Sequence, residues 1–364
     1  MNIDLKNKKP FFEGVCINDI IASNETPFYL YSQNEIINSI DKLKKNLKTE
    51  IFFSVKANSN QAILKLIKNC GLGADVVSAG ELQRAIKAGF SSKKIIFEGV
   101  GKSKEDIEFA INKKIRLINI ESFDELKKID EIAKNNNIKI NLGVRLNPDI
   151  DSQTIKKIST GKKTDKFGIS FSELNEIIFL FKFSKNINLK GISCHIGSQI
   201  KSIDVFKKVF IKMKKAASFI SSKNIDLKYI DLGGGFAVNY FKKENDFNIK
   251  NLGKLISSIF KKSTYKISFE PGRYIVAKSG ILVTKILTSK INGGINFLIT
   301  DAGMQTFIRP AMYDASHQPL PVIGPAHTLG QLYLSQPPGK AVKHSPSQLH
   351  TLYQEVEPNL QAGN

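Results

Sequence analysis

Along residues 51–273, short apolar runs alternate with longer segments in which apolar residues recur every three or four positions. "IFFSVK" (51–56) leads into "QAILKLIKNC" (61–70), "ADVVS" (74–78) into "AGELQRAIKAG" (79–89), and "KIIFEGV" (94–100) into "KEDIEFAINKK" (104–114). "IRLINIE" (115–121) leads into "FDELKKIDEIAKNN" (123–136). "IKINLGVRLN" (138–147), "INLKGISCHIG" (187–197) and "DLKYIDLGGG" (226–235) are followed by helical patterns at 172–183, 204–221 and 249–260. "YKISFEPGR" (265–273) is the eighth run. Short apolar runs each followed by a 3.6-period segment mark parallel βα units, and eight is the number that closes a barrel.

Outside this stretch the rhythm changes. "TPFYLYS" (26–32) reads as a strand before a first helix at 34–48. After 273, "YIVAKSGILVTKILTSKINGGINFLITDAGM" reads as consecutive β segments around a Gly-Gly turn, with no helices between them. The expected architecture is α/β: a TIM-type (β/α)8 barrel over 33–273, and an incomplete sandwich- or barrel-like β domain built from 1–32 and 274–322. From 321 the composition shifts. The last 44 residues hold six of the 12 prolines and three of the five histidines, but two of the 54 Lys and Arg. Hydrophobic alternation is sparse there, so residues 323–364 read as a divergent tail without a compact strand pattern, with disorder left open.

The net charge of +21 raises a nucleic-acid partner, but the lysines are spread along predicted helix faces and no recognition motif accompanies them. No nucleic-acid partner is expected. Three widely spaced cysteines, Cys16, Cys70 and Cys194, argue against a disulfide framework and fit a reducing cytoplasm. His327, His344 and His350 lack the spacing of a metal site, and no metal is expected. The amino terminus lacks the apolar core of a signal peptide, and no stretch approaches the ~18 apolar residues of a membrane span.

In a barrel, residues at the carboxyl ends of the strands face one shared pocket. Those ends carry Lys56, Asp75, Arg145, His195, the Gly233-Gly234-Gly235 run, and Glu270 with Arg273. Lys56 is the most informative. A lysine closing an apolar strand is costly to bury unless it is paired, neutral or used covalently, and a lysine with a lowered pKa can form a Schiff base with an aldehyde cofactor. Taken singly, each position has an ordinary alternative: a solvent-edge lysine, a hydrogen-bonded core histidine, a surface salt bridge for Asp75 or Arg145, a flexible glycine turn.

Seven stretches occur together and in order: "FFSVKANSN", "ADVVSAGEL", "KFGI" (166–169), "CHIGSQ" (194–199), "DLGGGF" (231–236), "EPGRYIVA" (270–277) and "DAGMQTFIRPAMYDA" (301–315). They resemble the motifs of diaminopimelate decarboxylase, a pyridoxal-phosphate enzyme family with an alanine-racemase-type barrel, over roughly residues 10–322. The resemblance implies decarboxylation of meso-2,6-diaminopimelate to L-lysine and carbon dioxide by a homodimer. It makes Lys56 the Schiff-base lysine and Glu270 the carboxylate facing the pyridine nitrogen. His195 becomes the plate against the ring, with Asp75 and Arg145 beside the cofactor. Backbone amides of Gly233, Gly234, Gly235, Gly272 and Arg273, with Ser198, would hold the phosphate. Arg273, Arg309 and Tyr313 match the substrate contacts, and arginines suit a substrate with two carboxylates.

The family's pattern continues past "GP" with a Cys-Glu-Ser-Gly-Asp-like motif, whose Cys and Glu reach the partner subunit's active site, and later a tyrosine near the cofactor. Here "AHTLGQ" follows "VIGP", and neither Tyr333 nor Tyr353 aligns with that tyrosine. The alternatives are therefore a decarboxylase of a related diamino acid or of carboxynorspermidine, or a chain whose cofactor binding outlasts its turnover.

Overall fold

The computed structural model describes residues 3–6, 9–152, 154, 160–240, 247–313, 315, 317–322 and 331–335. The apolar runs form eight parallel strands: β1 (Glu50–Ser54), β2 (Gly73–Val76), β3 (Ile95–Phe97), β4 (Leu117–Ile120), β5 (Ile140–Asn147), β6 (Ile187–Ser193), β7 (Tyr229–Asp231) and β8 (Lys266–Phe269). Each pairs with the next, β4 with β5 through Ile118↔Leu142, and β8 closes onto β1 through Ser268↔Glu50 and Phe269↔Ile51. The sheet is a closed barrel. A two-residue strand, Ile169–Ser170, adds to Leu146 and Asn147 on one side of β5. Most strands are shorter than the apolar runs because the last residues of the run leave the ladder and enter the loops.

Five of the intervening helices begin at a side-chain cap. Asn60, Ser78, Ser122 and Asn248 accept backbone N–H groups at the starts of Gln61–Asn69, Ala79–Lys87, Phe123–Asn135 and Ile249–Phe260. Ser103 and Asp106 form a reciprocal capping box on Lys104–Asn112. One face of each helix is buried, as with Ile63, Leu64 and Ile67 on the first of these. At the amino end of the barrel Arg116 forms two hydrogen bonds to Glu50, at 2.7 and 3.0 Å, and its guanidinium lies over Phe52 and Tyr229. This closes the barrel opposite the catalytic-type residues.

The chain divides into two compact units, with divisions at Ile36/Ile37 and Val276/Ala277, against 33 and 273 in the sequence reading. In the unit outside the barrel, strand Gly280–Asn292 pairs antiparallel with Phe28–Tyr31 and turns at Gly293-Gly294 into Ile295–Thr300. Both turn glycines have positive φ, +55° and +74°, which a side chain would strain. Strands Ile3–Lys6, Lys9–Phe12 and Val15–Cys16 form a separate antiparallel sheet, and Phe12, Ile17, Ile281 and Val283 share a buried cluster.

Three readings need correction. "YIVA" at the start of the expected β region is not strand: Arg273–Val276 is a helical turn, with Ile275 and Val276 N–H bonding back to the Gly272 carbonyl. A four-residue apolar run has no resolvable period, so pattern alone cannot separate turn from strand. The unit is also not all-β, because Ile17–Ser23 and Arg309–Tyr313 are helices. Within the tail, Gln331–Ser335 is a strand paired with both Gly280–Asn292 and Gln318–Val322. One partner, Gly280–Asn292, is distant in sequence, and the sparse hydrophobic alternation of the segment gave no sign of the pairing. His327, His344, His350 and Tyr353 lie outside the described residues.

Candidate active site

Lys56 lies just past β1, in a 3-10 turn over Val55–Ala57. The register of β1 and β2 sets Ser54 beside Asp75. The Ser54 hydroxyl donates to Asp75 Oδ2 at 2.7 Å, and Lys56 Nζ donates to the same oxygen at 2.8 Å. Burial pushes the Lys56 ammonium down, but Asp75 and then Glu270 outweigh it and hold its pKa above the ordinary lysine value. This corrects the expected lowered pKa: the carboxylates across the site keep the proton on the amine.

Asp231 ends β7 and organises the glycine run. Its Oδ1 accepts the Gly233 N–H at 2.8 Å, its Oδ2 accepts the Ser268 hydroxyl, and the Gly233 carbonyl accepts the Glu270 N–H at 2.8 Å. A Cβ at Gly233, Gly234 or Gly235 would fall 2.3, 2.3 or 2.1 Å from the carbonyl oxygens of Cys194, Glu270 and Gly197 respectively. Close backbone approach, not flexibility, demands these glycines. Gly234 N–H donates to His195 Nδ1 at 3.3 Å, so Gly235 alone of the three has an N–H with no acceptor among the described residues. The bond at Nδ1 leaves the His195 proton on Nε2. Burial, then Lys56 and Arg145, push the imidazole well below its usual value, so it is neutral.

Arg145 lies two residues before the end of β5, between two carboxylates absent from the sequence-based site. Its Nη1 donates to Glu121 Oε1 at 2.9 Å and stands 3.9 Å from Glu98 Oε2. Glu121 also accepts the backbone N–H groups of Gly99 and Gly168, both near 3 Å, which ties the "KFGI" loop to the barrel. Asn119 donates to Glu98, and a Cβ at Gly143 would fall 1.7 Å from its Oδ1. Burial above all, with Glu121 and Asp75 adding, pushes the Glu98 carboxyl up to about 7 although Arg145 opposes it. Glu98 and Glu121 follow β3 and β4, the two strands whose ends were passed over. The same strand-end argument would have found both.

Arg273 opens the turn after β8. Its Nε donates to Ser198 Oγ at 3.2 Å and its Nη1 to the Tyr240 hydroxyl oxygen at 3.1 Å. Gly272 is wedged between chain segments: a Cβ there would lie 2.9 Å from those of Ala57 and Ser54. Lys56, Asp75, Arg145, His195, Ser198, the three glycines, Glu270, Gly272 and Arg273 thus converge at the carboxyl ends of the strands. Arg309 and Tyr313 lie in the other unit, where the Arg309 guanidinium is 5.5 Å from the Tyr313 ring centre.

A family model for the pyridoxal-binding domain of pyridoxal-dependent decarboxylases matches residues 33–277. Diaminopimelate decarboxylase of Helicobacter pylori is 40% identical over 302 residues, covering 82% of this chain and 74% of that one. The Aquifex aeolicus enzyme of the same name is 35% identical over 321 residues, covering 88% and 76%. This chain belongs to the diaminopimelate decarboxylase family. The crystal structure of the Helicobacter pylori diaminopimelate decarboxylase complexed with L-lysine matches it with a TM-score of 0.84 at 34% identity, covering 88% of each chain.

The site residues fit the cofactor of a diaminopimelate decarboxylase. Glu270 is buried and its Oε1 has no hydrogen-bond partner, an arrangement that calls for a proton or an N–H donor against it. Burial, then Asp231, Asp75 and Glu98, push its carboxyl well above the usual range, with Lys56 opposing. A pyridine N–H would supply that donor, the Gly235 N–H and Ser198 hydroxyl suit an anion, and Lys56 is an amine of the kind an aldehyde needs. Among the described residues no cluster of His, Cys, Asp or Glu is arranged to hold a metal ion, and no helix is long and apolar enough to cross a membrane.

Proposed function

We propose that this chain decarboxylates meso-2,6-diaminopimelate to L-lysine and carbon dioxide, with pyridoxal phosphate held through Lys56. The observation that carries the reading is the meeting of Lys56 and Glu270 across the β1–β8 seam, where Ser54 Oγ lies 2.7 Å from Asp75 Oδ2 and 3.0 Å from the Glu270 carbonyl. Bound pyridoxal phosphate supplies an electron sink for the charge left on the α carbon when carbon dioxide departs.

The chain's own residues set the conditions for that chemistry. Glu270, with its unpartnered oxygen, would accept the N–H of a protonated ring nitrogen and so keep that proton on the cofactor. Asp75 holds the Lys56 proton until the amine is needed. Neutral His195 offers an uncharged face for packing against a ring, and Gly235, Ser198 and the Gly272–Arg273 backbone bind the phosphate. Arg145, already balanced by Glu121, orders the carboxylates beside the cofactor. Arg273, Arg309 and Tyr313 receive the substrate's carboxylates. A homodimer belongs to the same proposal, and so does a cytoplasmic location, which the three free cysteines support. The relatives, at 35–40% identity, do not favour a related diamino acid, carboxynorspermidine or a chain without turnover.

One sample tests the reading. The purified chain loaded with pyridoxal phosphate should show a visible absorbance that Lys56→Ala abolishes, and should release carbon dioxide from meso-diaminopimelate. A preference for ornithine would overturn the substrate assignment, and no absorbance would remove the cofactor with it.

A further inference from the structure

The two arginines at the site keep different company. Arg145 is bound by Glu121 and flanked by Glu98, so its charge is already balanced. Arg273 meets only neutral oxygens among the described residues, Ser198 Oγ on Nε and the Tyr240 hydroxyl on Nη1. Among the described residues Arg273 makes no ion pair and its Nη2 donates to nothing. A guanidinium held by neutral acceptors keeps its charge for an incoming anion, and its fork matches a carboxylate in two parallel bonds.

The two hydroxyls come from loops that are themselves locked together. Ser198 follows β6 and Tyr240 follows β7. Between them the Gln199 side chain donates to the Val238 carbonyl at 3.0 Å and accepts the Val238 N–H at 2.8 Å. Ile200 and Ala237 add backbone bonds, Ile200 N–H to the Gly235 carbonyl and Ala237 N–H to the Ile200 carbonyl. Three consecutive barrel loops therefore converge on one guanidinium, and anchoring two of its nitrogens fixes the plane of the fork.

We propose that Tyr240 is a positioning residue that, together with Ser198, aims Arg273 at the substrate carboxylate that survives into the product. The proposal rests on the decarboxylase reading and extends it to a tyrosine that no motif had singled out. The ring supplies rigid reach and the hydroxyl supplies the bond, so Tyr240→Phe removes the second and keeps the first.

The test compares two ligands that differ by that carboxylate, L-lysine and 1,5-diaminopentane, titrated calorimetrically into the cofactor-loaded full chain. Tyr240→Phe should weaken L-lysine binding about five- to ten-fold, as expected for a lost hydrogen bond to a charged group, and leave 1,5-diaminopentane unchanged. Arg273→Lys should show the same pattern, and the double variant should bind L-lysine no more weakly than Arg273→Lys alone. The visible absorbance of the bound cofactor should be equal in the unmodified chain and in Tyr240→Phe. Equal weakening of both ligands, additive losses in the double variant, or unchanged L-lysine affinity in Tyr240→Phe would overturn the proposal. Carbon dioxide release by the unmodified chain is measured separately. Its absence alongside the predicted binding pattern would sink the decarboxylase reading and leave the role of Tyr240 standing.

Discussion

Lys56 Nζ and Asp75 Oδ2 stand 2.8 Å apart, the aspartate fully buried and the lysine side chain 46% exposed. The amine is thus reachable but held charged. Capture of an aldehyde requires the neutral amine, so the rate of cofactor capture should rise with pH. Asp75→Asn removes the strongest influence raising the Lys56 pKa, and the rise should move to lower pH. The initial growth of visible absorbance, after adding pyridoxal phosphate to the cofactor-free chain at a series of pH values, checks this. Superimposable pH curves for the two proteins would contradict it.

Glu98 gives the opposite sign on stability. Its carboxyl is pushed from an ordinary 4.5 up to about 7, so between those values the folded chain holds a proton that the unfolded chain releases. Stability therefore falls as pH rises through that window, by at most about 3 kcal/mol. Glu98→Gln is neutral throughout and should flatten the fall. Denaturant midpoints measured near the two ends of the window, for both proteins, decide the matter.

Gly235 has φ +86° and would place a Cβ 2.1 Å from the Gly197 carbonyl oxygen. Gly235→Ala should destabilise the chain by about 2–4 kcal/mol, from overpacking plus a left-handed backbone. It should also weaken pyridoxal phosphate binding, because the displaced segment carries the open N–H. Thermal unfolding with and without cofactor would show a smaller cofactor-induced rise in Tm than in the unmodified chain.

Arg116 provides the contrasting case at the other end of the barrel. Its two bonds to Glu50 and its stacking on Phe52 and Tyr229 hold strand ends together and touch no site residue. Arg116→Lys loses the planar fork and should cost about 1–3 kcal/mol of stability. The kcat and KM for carbon dioxide release should stay within two-fold of the unmodified chain, roughly a 0.4 kcal/mol window. A larger kinetic change would mean that the two ends of the barrel are coupled.

The barrel was legible in the sequence because each unit repeats two local signals, an apolar run and an amphipathic helix, which in most units is also capped. The site was legible where a strand end carries a chemically distinctive residue, as at Lys56, Asp75 and Glu270. Three things escaped. The state of the Lys56 proton depends on Asp75 and Glu270, which adjoin it only once β1 lies between β2 and β8. Glu98 and Glu121 occupy strand ends, but in stretches that read equally as ordinary solvated ends, and their burial decides between the two. Tyr240 has no local mark; its role comes from a bond to Arg273, 33 residues further along the chain.

The β8–β1 seam has a consequence for how the chain is made. Lys56 follows the first barrel strand to leave the ribosome and Glu270 follows the last barrel strand, and the barrel closes through the pairs Ser268↔Glu50 and Phe269↔Ile51. A nascent chain that has reached β7 owns the lysine but neither its distal carboxylate nor a closed sheet. Such long-range closure comes late in folding. A fragment released before Lys266 would lack the carboxylate proposed to face the cofactor's ring nitrogen, and should not hold the cofactor as the full chain does.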